Sequence, residues 1–305
     1  MSYKILKLLK KYGVYIKDTY LDAWNYFKYS TLKIKIKNNE NLSASILAHV
    51  HSVERAFSLK TPRNVFGIEL VDNLKNLIVK IDDIQKYQYE IKIFKSAIAE
   101  YDKYHNNEIS EYSSLLPYKN YIHKKSSVNS PFKDIVNNRH SIRDFGTIKI
   151  KNSDVLKAIS IAKNISPSVC NRQGWEVVLI KNKILVDKVL KLQNGNSGIQ
   201  NIQNILIVCS SLTSFFDSNE RNQPYVDGGI FLMSILNSLH YKNIASCSLN
   251  WAVHKNQDNK LRKLIEIDNS RIIISLIGIG SYREEGIKIA SSYRKPLKNI
   301  LKIID

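Results

Sequence analysis

The sequence predicts an α+β protein in which several short strands pack with helices, behind a mainly helical N-terminal region. Two observations lead there: helical apolar spacing before a polar stretch at residues 106–130, and alternating helical and extended segments after it. A third is a segment from Gly228 to Tyr241 that is apolar on nearly every side.

Before the polar stretch, Leu6, Leu9 and Val14, then Ile46, Val50, Val53 and Phe57, then Leu70, Leu74 and Ile78 recur near the helical period. The stretch itself is rich in Ser, Asn, Tyr and Lys, holds Pro117 and is followed by Pro131, so it reads as a linker. The expected organisation is residues 1–130 as helical extension plus linker and 131–305 as a second domain. After the linker, Val155, Leu156, Ile159 and Ala162 share one face of a helix from Ser153 to Asn164, with Ser153 as its expected cap. The runs Trp175–Ile180, Ile205–Val208 and Arg271–Ile277 are short and rich in β-branched residues, as buried strands are. Ile230, Phe231, Leu232, Met233, Ile235, Leu236 and Leu239 make Gly228–Tyr241 a helix that must be covered all round, with Asp227 as its expected N-cap.

With 305 residues, 44% of them hydrophobic, the chain can bury a large core. The first thirty residues interleave Lys4, Lys7, Lys10 and Lys11 with leucines and tyrosines and lack the apolar core of a signal peptide. The longest apolar stretch, Ile272–Ile279, falls far short of the roughly 20 residues that span a bilayer. Cys170, Cys209 and Cys247 are scattered without a CxxC pair, which indicates neither a disulfide framework nor a zinc site and suits a reducing cytoplasm. All three read as small buried hydrophobes rather than nucleophiles.

Forty-six Lys and Arg against 27 Asp and Glu give a formal charge of +19. The lysines are dispersed among Ile, Asn and Tyr, the pattern of an AT-rich coding sequence, and no base-stacking platform accompanies them, so nucleic acid is not the expected partner. The first fifteen residues can form a basic amphipathic helix that either touches an anionic membrane or packs on the next domain with its lysines outward.

Two segments carry chemistry. Arg139-His140-Ser141-Ile142-Arg143 sets two guanidinium forks four residues apart beside a hydroxyl, which suits a phosphate. A solvated helix end is the alternative. Ser166–Trp175 joins a helix to a strand with many amides and hydroxyls, and Asn171 and Gln173 can read the polar edge of a planar ring or merely satisfy their own turn. Gly278-Ile279-Gly280 opens like a dinucleotide-binding loop, but Arg283 occupies the third glycine position and the residues after it are charged, so a Rossmann site is rejected. In the N-terminal region His51 and Glu54 share a helical face while His49 points elsewhere; without an HExxH pattern the expectation is a structural or interaction role and no metal.

In this order and separation, Arg139–Arg143 and Pro167-Ser168-Val169-Cys170-Asn171-Arg172-Gln173-Gly174-Trp175 resemble the nitroreductase family of flavoproteins, and Ser292-Tyr293-Arg294-Lys295-Pro296-Leu297 looks like that family's basic C-terminal segment. The resemblance covers roughly residues 132–298. It implies a nitroreductase-like fold, with a central, mostly antiparallel sheet flanked by helices, and a homodimer with FMN at its interface. It assigns Arg139, Ser141, Arg143 and Arg294 to the phosphate, ribityl chain and pyrimidine side of FMN, with His140 contributing backbone. It gives Pro167, Ser168, Asn171 and Gln173 to the same flavin from the other subunit.

Asn194 or Asn196 falls where the family often has a polar flavin contact, and Ser246-Cys247-Ser248-Leu249 where its backbone passes flavin N5. Cys247, Ser248 and Leu249 are thus flavin-lining candidates, in place of the Pro-Glu-Gly-type stretch of some members, a departure that bears on substrate. The implied activity is NADH- or NADPH-dependent reduction of a nitro, quinone, enone or related acceptor, with no protein general acid or base. The alternative is a flavin-binding or flavin-degenerate subunit of a biosynthetic complex. His51–Gly67, including Thr61-Pro62-Arg63-Asn64-Val65-Phe66-Gly67, resembles extensions on nitroreductase-like proteins encoded with surface-polysaccharide genes.

Overall fold

The structure is a computed structural model that describes the chain except residues 1–4, 14–15, 17–18, 21–35, 37–38, 60–65, 107–114, 118–131, 170–172, 213–219 and 254. Two compact units emerge. One comprises residues 1–56, 63–114 and 290–305, the other residues 57–62 and 115–289. The C-terminal residues from Ala290 therefore group with the N-terminal helices, and the split differs in that respect from a boundary at residue 130. No sequence pattern marks a tail that returns to an early helix.

The first unit is helical: α1 (residues 5–13), α2 (Asn39–Phe57), α3 (Ile68–Ile78) and α4 (Gln88–His105). Ile46, Val50 and Val53 of α2, Leu74 of α3 and Ile93 of α4 are buried, as their helical spacing requires. Gly67 stands in the left-handed region, φ +67°, at the start of α3. Of the calls on residues 51–67, the stretch 60–65 lies outside the described residues, as does most of the expected linker. Among the described residues no helix is long and apolar enough to cross a membrane.

The second unit is built on a four-stranded antiparallel sheet of β2 (Trp175–Ile180), β3 (Asn204–Ser211), β4 (Ala245–Asn250) and β5 (Arg271–Gly280), in the order β2-β3-β5-β4. Helices α5 (Phe132–Asn138), α6 (Asn152–Ile165), α7 (Lys183–Leu192), α8 (Gln223–Tyr241) and α9 (Lys255–Ile265) surround it. A short pair, β1 (Leu115–Pro117) and β6 (Lys288–Ala290), stands apart. One face of the sheet packs Val208, Leu206 and Ile277 against Val155, Phe231, Ile235 and Leu239 of α6 and α8. The other packs Ile205, Ile207 and Leu276 against Val186, Val189 and Leu261 of α7 and α9. Strands covered on both faces read as continuous apolar runs, which is why β3 and β5 are legible in the sequence.

Three expectations change. Asp227 lies inside α8, whose N-cap is Asn222, because Pro224 opens the helix a turn earlier. Helix α6 starts at Asn152 with Lys151 as N-cap, and Ser153 sits within its first turn. Among the described residues helix α8 is covered on one side: Phe231, Ile235, Leu236 and Leu239 are buried, while Val226, Ile230 and Met233 are exposed. The Gly-Ile-Gly sequence ends β5, where its small residues admit neighbours. A Cβ on Gly280 would stand 2.9 Å from Phe145 Cδ1, and one on Gly278 would stand 3.0 Å from Ile202 Cδ1.

Candidate functional site

The chain leaves α5 at Asn138 and runs extended along the outer edge of β4. The Ile142 N–H donates to the Ser246 carbonyl at 2.9 Å, the Gln200 N–H donates to the Arg143 carbonyl at 3.4 Å, and Asp144 bridges Gln200 in parallel. Ile142 and Phe145 drop into the core below the sheet and fix the segment's register. Asp144 is buried and paired with Arg283. The Arg139–Arg143 and Ser246–Leu249 segments, read separately in the sequence, are thus hydrogen-bonded neighbours.

Arg143 is 8% exposed, and its Nη1 donates to Ser58 Oγ at 3.5 Å. A hydroxyl at that distance does not compensate a buried guanidinium, whose desolvation costs several kcal/mol. The electrostatics favour an anion at this point. Arg139, His140 and Ser141 are half-buried beside it.

In β4 the pleat sends Cys247 and Leu249 into the core, while Ser248 faces the opposite way, its hydroxyl 3.0 Å from that of Ser275. Cys247 and Leu249 can therefore meet a ligand through backbone alone. The outward edge is also defined. The Ser246 carbonyl accepts from Ile142, and the Asn250 carbonyl accepts from Gln193 Nε2 at 2.9 Å. Ser248, two residues from each, turns its N–H and C=O to that same edge.

The Pro167–Trp175 loop hangs from α8. Asp227, buried, accepts from the Val169 N–H at 3.1 Å and from Gln223 Nε2 at 2.8 Å, while its carbonyl accepts from Trp175 Nε1 at 3.2 Å. Trp175 stacks on Phe231 with centroids 4.7 Å apart. Ser168 Oγ accepts from the Gln173 N–H at 2.9 Å, and Gln173 adopts φ +51° with its side chain exposed, as is Pro167. Asn171, with Cys170 and Arg172, lies outside the described residues. The roles of Asp227, Gln200 and Ser58 here have no local mark in the sequence, since each reaches a partner more than 50 residues away.

Asn196 Nδ2 donates to the Leu190 and Gln193 carbonyls at 2.7 and 2.9 Å, closing the end of α7. Asn194 Oδ1 accepts from Gln257 Nε2 at 3.3 Å. In this arrangement both serve the α7–α9 end of the unit. Arg294 belongs to the helical unit, where it lines a cleft with His51, Glu54 and Tyr293. Cys209 is buried in β3, and burial pushes its thiol up to about 12.

Residues 136–197 match the model described as the nitroreductase family, a span that includes both motif segments. Among solved structures, a Staphylococcus epidermidis protein named as an NAD(P)H:FMN oxidoreductase is 15% identical, with a TM-score of 0.51 over 59% of this chain and 99% of its own. A nitroreductase in complex with FMN from Desulfovibrio desulfuricans is 18% identical over 57% of this chain and 97% of its own, with a TM-score of 0.49. A nitroreductase family protein from Clostridium difficile is 18% identical over 56% and 97%, with a TM-score of 0.48. No curated protein matches the chain. The sheet unit has the nitroreductase-like fold, and the residues that match the family model lie within it.

Proposed function

We propose that this chain is an FMN-dependent oxidoreductase that takes hydride from NADH or NADPH and passes it to a small acceptor of the nitro, quinone or enone kind. The carrying observation is Arg143, a buried cation with a hydroxyl partner inside the segment that matches the family. FMN brings negative charge to a guanidinium that has no carboxylate partner among the described residues, and when bound it supplies the hydride and electron chemistry.

In this reading Arg139, Ser141 and Arg143 hold the phosphate and the pyrimidine side, where fixed positive charge stabilises negative charge gained on reduction. The β4 edge at Ser248 offers a backbone donor and acceptor to the ring, and Cys247 and Leu249 keep that strand seated in the core. The outward apolar residues of α8, Val226, Ile230 and Met233, support a homodimer, since they follow one stripe of the helix and stand exposed in the single chain. Pro167, Ser168, Asn171 and Gln173 of a second copy would then close the ring's other side. No side chain is assigned as general acid or base.

The test is the visible spectrum of the purified protein incubated with FMN, before and after anaerobic NADH or NADPH. Flavin bands that bleach are expected; a protein that takes up no flavin overturns the reading.

A further inference from the structure

The helical unit contains a cleft of 330 Å³ lined by Leu47, Val50, His51 and Glu54, which share one face of α2, by Ile93 of α4 and by Arg294. Its charge arrangement is unusual for a structural crevice. Glu54 is 2% exposed, yet its described partner is His51 Nδ1 at 3.5 Å, too long for a strong charge-assisted bond. At the start of α4, Glu90 Oε2 and the Tyr89 hydroxyl are also buried without a hydrogen-bond partner among the described residues. Burial and the Glu54 carboxylate push the Tyr89 phenol up, while Arg294 pulls it down.

The rim has the opposite character. Arg294 is exposed, and its Nη1 donates to the Ser292 carbonyl. Ser292 stands at φ +46°, a conformation that a non-glycine residue adopts at some cost. Lys295 Nζ donates to Ser43 Oγ at 3.2 Å, and Ser43 donates to Glu90 Oε1 at 2.6 Å, which ties the C-terminal segment across α2 and α4. A buried anion, an adjacent cationic rim and an apolar wall are thus held together by a constrained strap.

We propose that this cleft binds a free α-amino acid with an apolar side chain. Its ammonium pairs with Glu54, its carboxylate with Arg294 and His51, and its side chain lies on Leu47, Val50 and Ile93. An α-amino acid carries its ammonium and carboxylate on one carbon, and the cleft brings the Glu54 carboxylate and the Arg294 guanidinium into one lining. Arg294, which the resemblance gives to FMN, serves this cleft instead.

The experiment is isothermal titration of the full-length, FMN-incubated protein with L-leucine, 3-methylbutylamine and 4-methylpentanoate. L-Leucine binds, and each half-ligand binds at least about tenfold more weakly, since each leaves one charge unpaired. Glu54→Gln, an isosteric change, abolishes the leucine heat and leaves flavin content unchanged. The proposal is overturned if L-leucine, L-valine, L-isoleucine, L-methionine and L-phenylalanine all fail to bind at about 10 mM. It is equally overturned if 4-methylpentanoate alone matches leucine, or if Arg294→Gln strips the flavin. Flavin uptake is read separately, so failure here leaves the oxidoreductase reading standing.

Discussion

Asp227 in the second turn of α8 accepts the Val169 backbone N–H at 3.1 Å, across 58 residues, and thereby fixes the loop that begins at Ser166. Its other oxygen holds Gln223, and its carbonyl holds the indole of Trp175. One buried residue therefore sets both the loop and the start of β2. Asp227→Ala leaves the Val169 donor unsatisfied, and a loss of about 2–3 kcal/mol in unfolding free energy is expected. Urea titration checks the magnitude. The indole of Trp175 should hold its place in the variant, because its acceptor is the Asp227 main-chain carbonyl, which alanine retains; an unchanged midpoint would remove the Asp227 carboxylate from this role.

Gly146 and Gly228 separate two kinds of crowding. A Cβ on Gly146 would stand 2.5 Å from the Tyr282 carbonyl oxygen, a backbone atom pinned in its own segment. On Gly228 it would stand 2.5 Å from Ile274 Cγ1, part of a side chain able to rotate. Gly146→Ala is expected to cost about 2–3 kcal/mol and Gly228→Ala about 1 kcal/mol less. Because Gly146 also closes the Arg139–Phe145 segment through its N–H to the Ser281 carbonyl at 2.8 Å, Gly146→Ala should weaken flavin uptake as well, read by absorbance after desalting. Equal midpoints for the two variants would contradict this account.

The Cys209 thiol, raised to about 12 by burial, should be inert to Ellman's reagent at pH 8 in the native protein and react once the chain is unfolded in guanidinium. The raised value also fixes a sign. The folded state favours the protonated thiol, so this contribution is complete below the unfolded pKa of about 8.5 and is lost as pH rises toward 12. Cys209→Ala should flatten the fall in stability between those limits, measured as urea midpoints from pH 8 upward. Rapid native labelling would rule the assignment out.

How much of this was legible depended on the range of the interaction. The double-covered strands β3 and β5 announce themselves as apolar runs, and α2 and α3 by spacing, because burial writes its period into the sequence. Strand β4 does not: Ser246, Ser248 and Asn250 alternate with Ala245, Cys247 and Leu249, the residues that point into the core, so it shows no continuous apolar run. Helix α9 is as hard to read, because Lys, Asn, Asp and Arg dominate it and a narrow stripe around Leu261 holds it down. The Arg139–Arg143 segment was visible as chemistry from its own residues. That its partner strand is β4, through Ile142 and Ser246, depends on a contact spanning a hundred residues, and no local pattern encodes that.

Helix α8 gives the most direct test of assembly. Within the chain it buries Phe231, Ile235 and Leu239 and leaves Val226, Ile230 and Met233 outward, three positions at i, i+4 and i+7 that form a single stripe. Apolar side chains in a stripe of this kind lose free energy in water unless a second surface covers them. Ile230→Glu places a charge in the middle of the stripe without touching the buried face, so the monomer should keep its fold by circular dichroism. Sedimentation equilibrium is expected to show a dimer for the parent chain and a shift to monomer for the variant, a loss of at least about 3 kcal/mol in association free energy. Flavin uptake should fall in parallel, since half of the proposed ring contacts come from the second copy. A variant that stays dimeric with full flavin would move the interface off α8; a monomeric variant that keeps its flavin would confine the cofactor to one chain.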